Sequence, residues 1–170
     1  MSLTEALVQE FEQESATTRR VLERVPDDRL TWKPHQKSMS AGVLAHHIAM
    51  TPSLIAEWAL VDSFELPDGE MQHQPASSAE VLALHDEGVT KTKAVLSQLG
   101  DAGLQKPWQL TKNGATIFGM PSKAALIRTI ALNHWYHHRG QLSVYLRMLD
   151  VPVPSIYGPS ADENPFAPPA

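Results

Sequence analysis

Apolar residues recur along four segments of the chain with the period of about 3.6 residues that one face of an α-helix requires. Stretches rich in Pro, Gly, Ser and Asn separate these segments, as is typical of loops. No segment shows an alternation of apolar and polar residues that favours a strand. The pattern therefore predicts helices at about Leu3–Val25, Ser40–Val61, Ser77–Leu99 and Pro121–Leu149.

Local signals support these bounds and leave two stretches outside the helices. Ser77 precedes Glu80 by three residues, which is the spacing of a capping box at the start of the third helix. Pro52 would remove one backbone hydrogen bond inside the second helix and could kink it. A long connection at 101–120 joins the third helix to the fourth, and a Pro-rich, irregular tail follows at 151–170.

Length and composition narrow the fold and the class of partner. Four amphipathic helices predict an all-α four-helix bundle, a single domain over residues 1–170. The net charge of −5, with 14 Lys and Arg scattered among 19 Asp and Glu, argues against binding to nucleic acid. Neither a membrane-spanning segment nor a signal peptide is recognisable, so we expect a cytoplasmic protein. Because the chain has no cysteine, any metal site must use His, Asp and Glu.

Three histidines fall on the predicted inner faces of two helices. Residues four positions apart share a helix face, so His134 and His138 can present two ring nitrogens to one ion. The apolar stripe of the second helix includes His47 and leaves His46 nearly opposite. These three imidazoles predict a metal site with open positions, and the alternative is three core histidines bonded to buried neighbours. We expect three other histidines to be solvated surface residues: His35, His46 and His73.

The inner face of the fourth helix is placed by its apolar stripe, within which the two histidines fall near the middle. A helix turns by about 100° per residue, so the direction of each side chain can be compared with the centre of this stripe. The residues that define the stripe are Ile127, Ile130, Ala131, Tyr145, Met148 and Leu149.

Four further residues are candidates for roles around this site. His85 lies near the apolar face of the third helix, where it could be a fourth ligand or could border the core. Glu14 is costly to bury without a partner, so it could face a metal-bound water or an arginine. Gln141 could bond to a ligand or to substrate, and Arg139 could anchor a neighbouring helix or the tail. Glu14 and Gln141 are the catalytic candidates, although structural roles explain them equally well.

Three runs of sequence carry a resemblance to a known family. They read L-T-W-K-P-H-Q-K-S-M-S-A-G-V-L-A-H-H-I-A, N-H-W-Y-H-H-R-G-Q-L-S-V-Y-L-R and V-P-V-P-S-I-Y-G-P-S-A-D-E. Together they resemble the DinB/YfiT-like family of damage-inducible helical bundles, and the resemblance covers nearly the whole chain. It implies a four-helix bundle that holds a divalent metal, often nickel or zinc, through His47, His134 and His138.

The resemblance also implies a function and an assembly. Family members commonly form homodimers, and the superfamily includes transferases and isomerases that use low-molecular-weight thiols such as bacillithiol or mycothiol. We therefore expect a metal-dependent enzyme acting on a small molecule, either a thiol-dependent S-transferase or a hydrolase. The alternatives are a non-catalytic bundle stabilised by metal, a stress protein that binds a small molecule, and a helical domain without metal.

Overall fold

The computed structural model describes residues 1–69 and 72–167, and helices form most of it. A π-helical segment, Ile127–Asn133, joins the last two α-helices, and a short 3-10 turn lies at Asp27–Arg29. The predicted all-α four-helix bundle is confirmed in part, since the fold is mostly helical. The α-helices are α1 (Leu3–Leu22), α2 (Ala41–Trp58), α3 (Ser78–Leu104), α4 (Lys123–Leu126) and α5 (His134–Met148).

A three-stranded sheet shows that the all-α prediction was wrong. β1 (Ser63–Glu65) pairs in parallel with β2 (Trp108–Lys112), which pairs in antiparallel fashion with β3 (Ala115–Met120). The hairpin turns at Asn113 and Gly114, which have φ angles of 51° and 75°, as an Asn-Gly turn requires. It occupies the long connection expected before the fourth helix. Because most of β3 is exposed, its sequence lacks the apolar alternation of a half-buried strand.

Helix α3 continues beyond its predicted end. Gly100 has a φ of 57°, and the helix kinks there before running on to Leu104. Glycine adopts this conformation at little cost, so it breaks the helical path without ending the element. After the kink, the carboxylate of Asp101 accepts the backbone N–H groups of Leu3 at 3.2 Å and Thr4 at 2.8 Å. The kinked end of α3 thereby caps the start of α1.

Pro52 lies inside α2 and determines how α5 packs there. A proline has no N–H, so the carbonyl of Ile48, four residues earlier, loses its partner within the helix. The ring N–H of Trp135 donates to that carbonyl at 2.8 Å. The Trp135 ring also stacks on Phe11, with centroids 5.4 Å apart. Trp135 therefore fixes α5 against α2 at the residue that follows His134.

The buried stripe of α5 differs from the predicted one. Its buried residues are Trp135, Arg139, Leu142 and Leu146, whereas Met148 is 54% exposed. The stripe thus lies one residue, or about 100°, away from its expected position. The cause is the π-helical segment before α5, because each π turn holds one residue more than an α turn and changes the phase of the helix after it.

The core of the described residues lies where α2 packs against α3 and α5, and where α1 packs against α3. None of the helices in the described ranges is long and apolar enough to cross a membrane.

Candidate metal centre

The three histidines predicted as ligands lie side by side where α2 faces the start of α5. The Nε2 atom of His134 is 3.1 Å from Nε2 of His47 and 3.0 Å from Nε2 of His138. The ring centroids are 4.3 to 5.3 Å apart. A tetrahedral zinc ion separates its ligand nitrogens by about 3.3 Å, so small ring movements suffice to bind one. This three-His group could therefore hold a metal ion.

Side chains next to the group hold two of the histidines, and for His138 the bond lies on the far side of the ring. The Nδ1 atom of His138 lies 2.7 Å from Oε1 of Gln141. Because an amide oxygen only accepts, His138 keeps its proton on Nδ1 and leaves Nε2 free for an ion. Thr51 donates its hydroxyl to the carbonyl of His47 at 2.6 Å, and its oxygen lies 3.4 Å from the Nε2 atom of that ring. Thr51 was not singled out from the sequence.

Burial keeps all three rings neutral at neutral pH. It is the largest cause that lowers the pKa of His47 to about 4, followed by the charges that His138 and His134 would carry. Burial also lowers the pKa of His134, with smaller contributions from His138 and His137. For His138, burial lowers the pKa although the bond to Gln141 opposes it. Neutral imidazole is the form that binds metal, so the group needs no deprotonation to accept an ion.

An apolar pocket of about 390 Å³ adjoins the group, and both His47 and His134 line it. The size falls within the range of small-molecule sites. One wall comes from the segment between β1 and α3, which the sequence pattern predicted as a loop. None of the described residues that line the pocket is a Lys, Arg, Asp or Glu. The apolar lining includes Met50, Leu54, Trp58, Leu66 and Ile130.

Glu14 faces an arginine, which is one of the two partners expected for it. Its carboxylate lies 2.7 Å from the guanidinium of Arg139, whose side chain is 1% exposed. Tyr157, in the C-terminal tail, donates its hydroxyl to Glu14 at 2.8 Å and accepts a bond from Arg139. Arg139 also donates to Thr18 at 3.0 Å. Arg139 therefore anchors both α1 and the tail, and Glu14 belongs to neither the three-His group nor the described pocket lining.

His85 borders the core outside the three-His group. It is 2% exposed, and its ring stacks on that of Trp135 with centroids 6.2 Å apart. Its Nδ1 atom lies 3.2 Å from the carboxylate of Asp86, and it lines a different cavity, together with Arg19. Of the two roles considered for His85, the structure thus supports a place beside the core.

Sequence comparison places the chain among known proteins. The DinB family profile matches residues 1–165. The protein YjoA of Bacillus subtilis is 29% identical over 147 residues, which cover 86% of this chain and 91% of YjoA. The protein YrdA of the same organism is 26% identical over 155 residues, covering 90% of this chain and 87% of YrdA.

Solved structures of two DinB-like proteins have a similar fold. The crystal structure of YjoA from Bacillus subtilis matches with a TM-score of 0.66 at 25% identity, over 86% of this chain and 95% of that one. A DinB-like protein from Bacillus cereus matches with a TM-score of 0.68 at 24% identity, over 90% of this chain and 97% of that one. Because the family match spans almost the whole sequence, as the resemblance predicted, the chain belongs to the DinB family.

Proposed function

We propose that the protein is a divalent-metal-dependent enzyme acting on a small molecule, with His47, His134 and His138 as its metal ligands. The observation that carries the proposal is the convergence of three neutral imidazoles beside an apolar pocket. Neutral nitrogen donors suit zinc and nickel. Neither His85 nor Glu14 joins the described group, so three protein ligands leave a position open, as catalytic sites do.

The residues around the group support a chemical role for it. A bound divalent ion lowers the pKa of a water or thiol that it coordinates, and so supplies a nucleophile at neutral pH. Gln141 holds the proton of His138 on Nδ1, which keeps Nε2 directed at the ion. Met50, Trp58 and Ile130 line the pocket and exclude water from an apolar substrate held against His134. Thr51 offers a hydroxyl oxygen beside His47 for a polar group of that substrate.

Of the two reactions expected, thiol-dependent S-transfer makes the smaller demand on the site, because the bound ion alone can ionise a thiol. Hydrolysis by an activated water benefits in addition from a group that accepts its proton. A thiol has a pKa near about 8.5, so an adjacent cation suffices to ionise it. The chain has no cysteine, and the thiol must therefore be a cosubstrate of low molecular weight.

Metal analysis of purified variants tests the site. Inductively coupled plasma mass spectrometry is applied to wild type, His47→Ala and His134→Ala, with the exposed His35→Ala as the matched control. We expect each ligand variant to hold one equivalent less zinc or nickel than wild type, and the control to lose none. Equal metal content in wild type and both ligand variants, after reconstitution with zinc and nickel, would overturn the proposed ligand set.

An activity assay then separates an enzyme from a metal-stabilised bundle. Wild type and His134→Ala are each mixed with a small thiol and an uncharged aryl halide, and thioether formation is followed by absorbance. We expect thioether formation by metal-loaded wild type and none by His134→Ala or by chelated wild type. Metal binding that raises the melting temperature without any turnover, of either aryl halides or ester substrates, would instead identify a non-catalytic metal-stabilised bundle.

A homodimer is part of the same proposal. Val144 and Met148 lie one turn apart on α5 and are 57% and 54% exposed, and we take this apolar surface as the candidate contact between two copies. We expect sedimentation of wild type as a dimer and of Val144→Lys as a monomer. A monomeric wild type at micromolar concentration would contradict this part of the proposal.

A further inference from the structure

A second cluster of metal-ligating side chains lies beside α2, away from the three-His group. Successive residues of a helix point about 100° apart, so His46 faces a different neighbour from His47. The His46 ring lies 4.7 Å from the ring of His73, at an interplanar angle of 53°. The Nε2 atom of His73 is 2.8 Å from Oε1 of Glu80. One ligand atom from each of the three side chains lies within 4.8 Å of the others.

The carboxylate of this cluster is held in place by the start of α3. The N–H of Glu80 donates to the side chain of Ser77 at 3.1 Å. The Oε2 atom of Glu80 accepts the backbone N–H of Ala76 at 2.7 Å. The first bond fixes the backbone of Glu80, and the second leaves the other carboxylate oxygen, Oε1, facing His73. The carboxylate is therefore ordered before any ion arrives, which reduces the entropy that binding would cost.

The segment that carries His73 is also held independently of the cluster. The side chain of Gln74 accepts a bond from the Ser40 hydroxyl at 2.6 Å and donates to the carbonyl of Leu30 at 3.2 Å. The N–H of Ser78 donates to the carboxylate of Asp27 at 2.6 Å. These hydrogen bonds hold the chain just after His73, so the ring of His73 lies beside His46 without any contribution from a metal.

We propose that His46, His73 and Glu80 form a second divalent-cation site, which takes zinc or another borderline ion. Two imidazoles and one carboxylate are a common ligand set for zinc, whereas calcium and magnesium prefer oxygen ligands alone. The separation of 4.7 Å between its two rings lies within the 4.3 to 5.3 Å range of the three-His group. On binding, the ion takes the place of the hydrogen bond between Nε2 of His73 and Oε1 of Glu80, and a neutral His73 then carries its hydrogen on Nδ1.

The second site also affects one wall of the apolar pocket beside the three-His group. The segment between β1 and α3 carries His73 and contributes Leu66 and Gln72 to the pocket wall. An ion held by His46 and His73 cross-links this segment to α2. Occupation of the second site therefore holds one wall of the pocket against the helix that provides His47.

Isothermal titration calorimetry, in which zinc is added to metal-free protein, tests the second site. We expect two equivalents for wild type, one for His73→Ala, one for His134→Ala and none for the double variant. His35→Ala, which removes an exposed histidine outside both clusters, should retain two. Glu80→Gln keeps the shape of the side chain and a bond to Ala76, and we expect it to lose the second equivalent only.

The pattern of losses separates the two sites. If the three-His group fails and the second site holds, wild type binds one equivalent that disappears in His73→Ala and remains in His134→Ala. Wild type and His73→Ala binding the same number of ions would overturn the second site, whatever happens at His134.

Hydrogen exchange tests the cross-link separately, in the His134→Ala background where only the second site remains. We expect zinc to slow amide exchange in residues 72–80, and to leave that exchange unchanged once His73→Ala is added. Unchanged exchange in His134→Ala at saturating zinc would overturn the cross-link.

Discussion

Replacing Glu14 by Gln tests the buried ion pair that joins α1, α5 and the C-terminal tail. The side chains of Glu14 and Arg139 are 15% and 1% exposed. The guanidinium also donates to the hydroxyls of Thr18 and Tyr157 and to the backbone carbonyl of Glu14. The substitution keeps the shape of residue 14 and removes only its charge. The substitution leaves the buried guanidinium of Arg139 without a counter-charge.

The size of the effect depends on that geometry. Removing one partner of a buried pair costs about 3 to 5 kcal/mol. The amide oxygen of Gln, the Thr18 hydroxyl and the Tyr157 hydroxyl remain as neutral acceptors, so we expect a loss of about 2 to 3 kcal/mol. In a chain of this length that corresponds to a melting temperature lower by roughly 4 to 12 °C.

A neighbouring glutamate on the same helix provides the matched control. Glu12 pairs with Lys93, and these side chains are 49% and 40% exposed. We expect Glu12→Gln to cost at most about 1 kcal/mol, because solvent screens the pair. Urea unfolding of the metal-free proteins, followed by circular dichroism, measures both variants. A loss of stability in Glu14→Gln no greater than that in Glu12→Gln would refute the reasoning.

Three further predictions concern the histidine group and its supports. Because the pKa of His47 is lowered from 6.5 to about 4, the unfolded chain binds a proton that the folded chain does not. The metal-free protein should keep its full stability above about pH 6.5 and lose about 2 kcal/mol as pH falls toward 4, and a flat profile in urea titrations would contradict this. Gln141→Leu should weaken zinc binding by about 10- to 100-fold in a chelator competition, since it frees Nδ1 of His138, and unchanged affinity would show that the bond is incidental. Trp135→Phe leaves the carbonyl of Ile48 unpaired and should cost about 1 to 3 kcal/mol in urea unfolding, and a variant as stable as wild type would contradict this.

The first three long helices could be predicted from the sequence because α1, α2 and α3 each bury an apolar face and begin after a serine that caps them. The side chains of Ser40 and Ser77 accept N–H groups three residues further on, as their positions before apolar runs suggested. The strands could not be predicted in the same way. β1 has only three residues and β3 is exposed over most of its length, so neither has an alternating apolar face. The Asn113-Gly114 turn was the one local signal for the hairpin.

Contacts between segments that are far apart in the sequence could not be predicted either, unless both segments were helical. The three-His group could be proposed because each of its members lies on a helix, where periodicity says which way a residue points. His73 lies outside any helix or strand, so no period relates its direction to that of His46, and it was expected to be solvated. The partner of Glu14 could not be predicted for a related reason. Its position on the apolar stripe of the first helix indicated that the carboxylate is buried and therefore paired, but the stripe does not identify the partner.

The π-helical segment explains why the predicted histidine face and the observed core face of α5 differ, and why this difference suits a ligand-binding site. The backbone N–H of His134 bonds to the carbonyl of Thr129, five residues back, which sets the residues of α5 back by about 100° relative to an unbroken α-helix. Trp135 and Arg139 therefore take the fully buried positions. His134 and His138, one residue earlier in each case, lie at the edge of the core rather than inside it. An ion at that edge is reachable from the pocket, whereas the same histidines at the centre of the stripe would be closed off by packed side chains.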